Sequence, residues 1–163
     1  MTRIGLLSDT HGYLDDRVLD FFEACDEIWH AGDLGNIAIA DVLKKRARFR
    51  AVFGNIDGTE IRNTYPEHLK FTCEKVDVWM THIGGYPGNY DRSIREQIRL
   101  NPPGLFISGH SHILKVMHDK KLDLLHINPG AAGKQGFHNV RTAVRFLIEN
   151  KGIKDLEVLE LKR

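Results

Sequence analysis

The stretch "RIGLLSDTHGYLDDRVLDFFEAC", Arg3 to Cys25, decides how the fold is read. Its first part is a short apolar run of strand length that ends abruptly in Asp9-Thr10-His11-Gly12. Its second part is periodic, with Leu19, Phe21 and Phe22 as the inner face of an amphipathic helix. The same unit then repeats. Residues 26–33, "DEIWHAGD", are strand-like, residues 36–49, "NIAIADVLKKRARF", helical, and residues 50–57, "RAVFGNID", strand-like again. A βαβαβ alternation predicts parallel strands.

Further along, the rhythm changes. Residues 68–75 and 76–82 read as consecutive strands, and residues 90–101 as a helix closed by Pro102-Pro103. "GLFISGH" (104–110) is another buried strand, residues 114–130 a hairpin, and residues 142–162 two strands around Lys151-Gly152. The chain therefore starts as α/β and is expected to finish as an antiparallel meander. That mixture predicts an α/β protein built as a two-sheet mixed β-sandwich flanked by helices, in one domain spanning 1–163.

Bulk properties narrow the function classes. The 163 residues are enough for a core without disulfides. A formal charge of +1 supplies no field for nucleic acid or an anionic membrane, so neither is an expected partner. The run Lys44–Arg50 reads instead as a helix end whose cations complement the dipole. Cys25 and Cys73 form no CxxC pair, and the N-terminal apolar run is too short for a signal-peptide core or a membrane span. A cytoplasmic protein is the expectation. Edge strands leave a homo-oligomer open.

The chemistry collects where apolar runs stop. Asp9 and His11 follow the first, Asp33 the second, Asn55 and Asp57 the third, His82 a later one, and His110 and His112 end "GLFISGHSH". In open α/β sheets ligands sit beyond the carboxyl ends of strands, where these residues would converge. Singly, each would be a core histidine or a capping aspartate; jointly they are a donor set. Carboxylate and amide oxygens with imidazole nitrogens, and no thiolate, suit Mn²⁺, Fe²⁺ or Zn²⁺. The seven donors Asp9, His11, Asp33, Asn55, His82, His110 and His112 exceed what one catalytic zinc uses. Two ions roughly 3.5–4 Å apart would use them all if one carboxylate bridged, with His110 and His112 serving one ion each. Gly109 is expected to let the backbone turn and aim them.

Read in order, DxH, GD, GNxD, a lone His and GHxH resemble the calcineurin-like metallophosphoesterases. "INPGA" (127–131) is similar to the NPG turn of the short bacterial and archaeal phosphodiesterases in that superfamily. The resemblance implies that Asp9, His11 and His112 bind one divalent ion and Asn55, His82 and His110 a second, with Asp33 bridging. Mn²⁺ is the foremost cofactor, with Fe²⁺, Zn²⁺, Ni²⁺ and Mg²⁺ as alternatives. It also implies in-line attack on the phosphorus of a small phosphodiester by a metal-activated hydroxide, with nucleotides among the candidate substrates. His11, Asn55 and Asp57 are the catalytic candidates, Asp57 by orienting the loop that carries Asn55.

Two departures matter. Many members have His at the third position of GNxD, where it contacts substrate and protonates the leaving group; here Ile56 stands there. A general acid is worth ~10²–10⁴ in rate, so Ile56 favours diesters with readily departing groups. Ile83 also separates His82 from Gly84-Gly85. The rival class is a protein-binding scaffold on the same fold, as in the retromer subunit that resembles these enzymes; the complete donor set argues against it.

Other residues have blander readings. His30 is expected to be structural, His68, His118 and His126 strand surface or core, and His138 an exposed loop residue rather than a substrate contact paired with Arg141. Asn128 is either close to the site or an ordinary turn residue. Tyr13, Tyr86 and Tyr90 are candidates for stacking on a base or an aromatic leaving group.

Overall fold

A computed structural model describes residues 1–163. Strands β1 (Thr2–Leu7), β2 (Glu27–His30) and β3 (Arg48–Ala51) alternate with helices α1 (Asp16–Phe21) and α2 (Ile37–Lys44), as the sequence predicts. Each of these helices starts on a side-chain cap: Asp15 accepts the Arg17 amide and Asn36 the Ala38 amide, satisfying donors that have no partner within the helix. A third helix, α3 (Thr59–Thr64), has no side-chain cap and buries only Ile61, and the sequence pattern misses it. Then follow β4 (His68–Cys73), β5 (Val76–Thr81), a small hairpin β6 (Gly85–Tyr86) and β7 (Asn89–Tyr90), α4 (Arg95–Leu100), β8 (Leu105–Ile107), β9 (Leu114–Asp119), β10 (Leu124–Pro129), β11 (Val140–Glu149) and β12 (Gly152–Lys162).

Two five-stranded sheets face each other, in the orders β12-β11-β1-β2-β3 and β4-β5-β8-β10-β9. The α/β sandwich is thus as expected, but the second half is no simple meander. β8 runs parallel to both β5 and β10. β11 leaves that sheet and pairs antiparallel with β1, bringing Ile4 opposite Phe146. The crossing has a physical reason: β11 reads BBBBiBiB from Arg141 to Ile148, a strand covered on both faces, which an edge position would leave wet.

Ile4, Leu6, Trp29, Met80, Ile107, Ile127, Val144 and Phe146 fill the space between the sheets. Val18, Phe22, Ile28, Ile39 and Leu43 pack under α1 and α2, and Trp79, Ile94, Ile98 and Phe106 under α4. Helices therefore cover the outer faces, and the carboxyl ends of β1, β2, β5 and β8 open at one edge of the sandwich. No helix is long and apolar enough to cross a membrane. The Lys44–Arg50 run ends α2 and enters β3, where Arg50 pairs with Glu27 at 3.0 Å.

Candidate metal centre

The loops at that edge share an unusual backbone. Asp9, His11, Asp33, His110 and His112 all have positive φ, between 46° and 73°. The left-handed region is costly for residues with a Cβ, and such strain gathers where the surroundings hold side chains for a purpose. Gly109 has no positive φ, which corrects the expected role for it. It must be glycine because a Cβ there would strike the Ser8 hydroxyl and crowd the Asp9 carboxylate. Gly54 has the same reason: its Cβ would run into Asp33.

Two groups of donors result, Asp9 with His11 and His112, and Asp33 with His82 and His110. His112 Nε2 lies 3.2 Å from Asp9 Oδ1, and His82 Nε2 lies 3.1 Å from Asp33 Oδ2. Between the groups, His11 Nε2 is 3.6 Å from Asp33 Oδ2 and His82 Nε2 is 3.7 Å from Asp9 Oδ1. Asn55 joins the second group, its Oδ1 3.1 Å from His110 Nδ1.

These residues fit divalent cations. Asp9 Oδ1, His11 Nε2 and His82 Nε2 are buried with no hydrogen-bond partner. Such atoms are rare and expensive. Two ligand atoms held at about 2.1 Å by one ion lie about 3.0–3.4 Å apart at octahedral or tetrahedral angles, close to the His112–Asp9 and His82–Asp33 spacings. The ring tautomers agree. His82 Nδ1 lies 2.7 Å from the Ala31 carbonyl, which can only accept, so Nδ1 carries the proton and Nε2 turns its lone pair to the carboxylates. A lone pair facing carboxylate oxygens is unfavourable without a cation between them.

Without metal, protons answer the same charge. Burial pushes Asp9 up, but the facing imidazoles of His11, His112 and His82 and the Ser8 hydroxyl override it and hold the carboxyl well below the usual range. Burial likewise opposes Asp33, and the facing His82 imidazole and the Ile56 amide prevail. The His11 pKa is raised by the facing Asp9 carboxylate. For His82, burial works against protonation and the facing carboxylates of Asp33 and Asp9 overcome it.

Supporting residues surround the donors. Asp57 points away from the cluster and acts on the loop that carries Asn55. Its carboxylate accepts the amides of Leu34, Gly35 and Gly54 at 3.2, 2.9 and 2.8 Å, locking the Asn55 loop to the Asp33 loop. Asn128 donates to the Gly109 carbonyl at 3.0 Å and to Ser111 Oγ at 3.1 Å, fixing the loop of His110 and His112. His30 is structural, as expected. It accepts the Gly32 amide through Nδ1 and reaches Thr10 Oγ1 through Nε2, and full burial pushes its pKa down to about 3.

His138 differs from expectation. It is half-buried and stands 3.2 Å from His112, Nδ1 to Nδ1, while its Nε2 donates to the Gly133 carbonyl at 2.7 Å. In the neutral ring its Nδ1 is therefore an acceptor, and His112 Nδ1–H donates to it, which aims His112 Nε2 at Asp9. No local motif marks His138; only the fold reveals it. Arg141 is nowhere near substrate, being buried against Asp15 at 3.0 Å and the Lys162 carbonyl. Tyr90 is also withdrawn from stacking, since it is buried with its hydroxyl on Asp119 at 2.7 Å. The sides of the cluster carry residues that the sequence reading did not single out. Ile113 and Phe137 join Ile56 on one side, and Arg92, Arg95 and Lys115 stand on the other with His126.

A mixed sandwich with two oxygen- and nitrogen-donor groups at its open edge defines a metal-dependent phosphoesterase class. The chain belongs to the calcineurin-like phosphoesterase superfamily, whose domain model matches residues 2–151. It is 34% identical over 137 residues to a probable metallophosphoesterase of Methanocaldococcus jannaschii, covering 78% of this chain and 67% of that one. A second probable metallophosphoesterase, from Methanothermobacter thermautotrophicus, is 30% identical over 135 residues, covering 78% and 76%. Among solved structures, an archaeal phosphodiesterase superposes with a TM-score of 0.76 at 21% identity, covering 96% of this chain and 99% of that one. Vps29 of Entamoeba histolytica, solved with Zn²⁺, gives 0.75 at 16%, covering 98% of each. At those identities the likeness is one of fold.

Proposed function

We propose that this chain is a phosphodiesterase that hydrolyses small phosphodiesters, with two divalent cations, Mn²⁺ foremost, held in one domain. Asp9, His11 and His112 would hold one cation and Asn55, His82 and His110 the other, with Asp33 between them. The observation that carries this reading is the pair of donor groups whose innermost atoms are buried without partners. Bound there, the cations would stabilise charge growing on the phosphoryl oxygens and make water a competent nucleophile at neutral pH.

The chain's own residues fix the geometry. Ala31 holds the His82 proton at Nδ1, His138 takes that of His112 at Nδ1, and Asp57 and Asn128 anchor the loops. Ile56 lies over the cleft, 47% exposed, and only its amide interacts polarly, donating to Asp33 Oδ1 at 3.1 Å. Water adds to phosphorus and the bond to the leaving oxygen breaks with no side chain at position 56 to protonate it. Substrates with stable leaving anions are favoured accordingly. The archaeal phosphodiesterase of like fold agrees with a diester substrate.

The test is to strip the protein with chelator and assay bis(p-nitrophenyl) phosphate with and without Mn²⁺. Turnover restored by Mn²⁺ is expected. Stoichiometric metal binding without turnover would instead favour a binding scaffold on this fold.

A further inference from the structure

His110 and Ser111 belong to two hollows at once. One is the cleft over the donor groups, of about 520 Å³; the other, of about 370 Å³, lies on the opposite side of His110 under the β6–β7 hairpin. A diester whose phosphorus sits at the cluster must send its two arms in different directions, and the second hollow is next to the scissile position.

We propose that this second cavity is a substrate subsite, taking a diester arm that carries a further phosphate and a hydroxyl group. The proposal rests on the phosphodiesterase reading. The charge that supports it is local. Arg92, Arg95 and Lys115 line the cavity, whereas the whole chain has a net charge of only +1. Two of these cations are already held in place. Arg95 donates through Nε and Nη2 to the Tyr90 carbonyl at 3.1 and 3.0 Å, and Lys115 Nζ sits 4.0 Å above the Tyr86 ring. The one acid among the lining residues, Asp91, has its carboxylate occupied by the amide and hydroxyl of Ser93. Asp91 keeps its negative charge and offsets part of that of Arg95, but three cations against one acid leave the cavity wall net positive, which suits a phosphate.

The hydroxyl follows from His126. This ring is fully buried and also lines the cavity. Its Nδ1 lies 3.1 Å from the Phe106 carbonyl, so Nδ1 carries the proton. Burial pushes its pKa down to about 4, which leaves the ring neutral and Nε2 an acceptor. That acceptor is buried and has no partner. A bare lone pair repels an anion and receives a donor, so the inner part of the arm must offer O–H while its phosphate stays with the cations. Lys115 covers one face of Tyr86, so that face is closed to base stacking.

The probes are p-nitrophenyl phosphodiesters that share one leaving group and differ in the other arm: ethyl, 3-phosphopropyl and phosphoglyceryl. With saturating Mn²⁺, KM is expected to fall about tenfold from ethyl to phosphopropyl and by about a further fivefold to phosphoglyceryl. In the Arg92→Ala/Lys115→Ala double variant the ethyl-to-phosphopropyl gap should shrink to less than about twofold. His126→Phe should abolish only the step from phosphopropyl to phosphoglyceryl. Equal KM values for all three arms in the wild type would overturn the subsite. So would a phosphate preference that survives the double variant, since the second phosphate would then be meeting the cluster. Calorimetry of glycerol 3-phosphate with metal-stripped protein separates the two readings. Binding that the double variant loses, without turnover of any ester, supports the cavity and overturns the hydrolase; turnover of the ethyl ester with no such binding overturns the cavity alone.

Discussion

The two sides of His110 are built from opposite materials. Toward the Asn55 loop, the cleft is rimmed by apolar side chains that face water: Ile56, Ile113 at 62% exposure and Phe137 wholly exposed. Toward the β6–β7 hairpin, the wall is cationic and its buried part holds an unpartnered imidazole nitrogen. Exposed apolar groups around a polar centre, and unsatisfied polar atoms inside a fold, are both unfavourable in isolation. Finding one on each side of a single histidine teaches that the site is asymmetric. Under the proposed function the centre would handle a phosphoryl group, and its flanks would distinguish the two ends of whatever carries it.

The largest expected effect comes from breaking the centre that both sides share. Asp33→Asn should lower activity by more than the roughly 10–100-fold that loss of a supporting group costs, and reduce bound metal. Elemental analysis beside turnover checks it; normal metal content with normal rate would remove Asp33 from the centre. A smaller effect is expected on the apolar side. Ile56→His introduces a proton donor beside the leaving group and should raise turnover of alkyl diesters about tenfold, well within what general acids provide, with little change for nitrophenyl esters. A leaving-group series measures this, and parallel lines for the two proteins would refute it.

The smallest effect concerns the polar side and is read in stability. His126 has its pKa lowered by burial to about 4, from 6.5 in the unfolded chain. The unfolded state binds the extra proton between those values, so stability is full above about pH 6.5 and falls as pH drops toward 4. His126→Phe should remove about one proton from the pH dependence of metal-free unfolding in that window. Denaturant titrations at pH 4.5, 5.5 and 6.5 give the slope; an unchanged slope would mean that the ring is not buried neutral.

Much of the centre was legible before folding. Asp9, His11, Asp33, Asn55, His82, His110 and His112 each follow an apolar run, and strand ends are where an α/β sheet presents ligands. In the fold they sort into two groups, Asp9 with His11 and His112, and Asp33 with His82 and His110. Other features were hidden for identifiable reasons. His138 and Arg141 lie close in sequence, yet one supports His112 and the other is buried beneath Asp15, because they leave the chain on either side of the start of β11. The Gly109 reading failed because the positive φ falls on the histidines themselves, where the left-handed region is uncommon for a side-chain-bearing residue. α3 escaped notice because six residues with one buried side chain have no period to detect.

Taken alone, the amino-acid order determined the alternation of strands and helices, the absence of a wide basic field and the identity of the candidate donor set. Those follow from local rules: apolar spacing, capping residues and the chemistry of side-chain atoms. The crossing of β11 back to β1, the contact of His138 with His112 and the cavity floored by His126 were decided only by tertiary packing. Each depends on contacts between residues far apart along the chain, and no local spacing encodes which distant surface a side chain will meet.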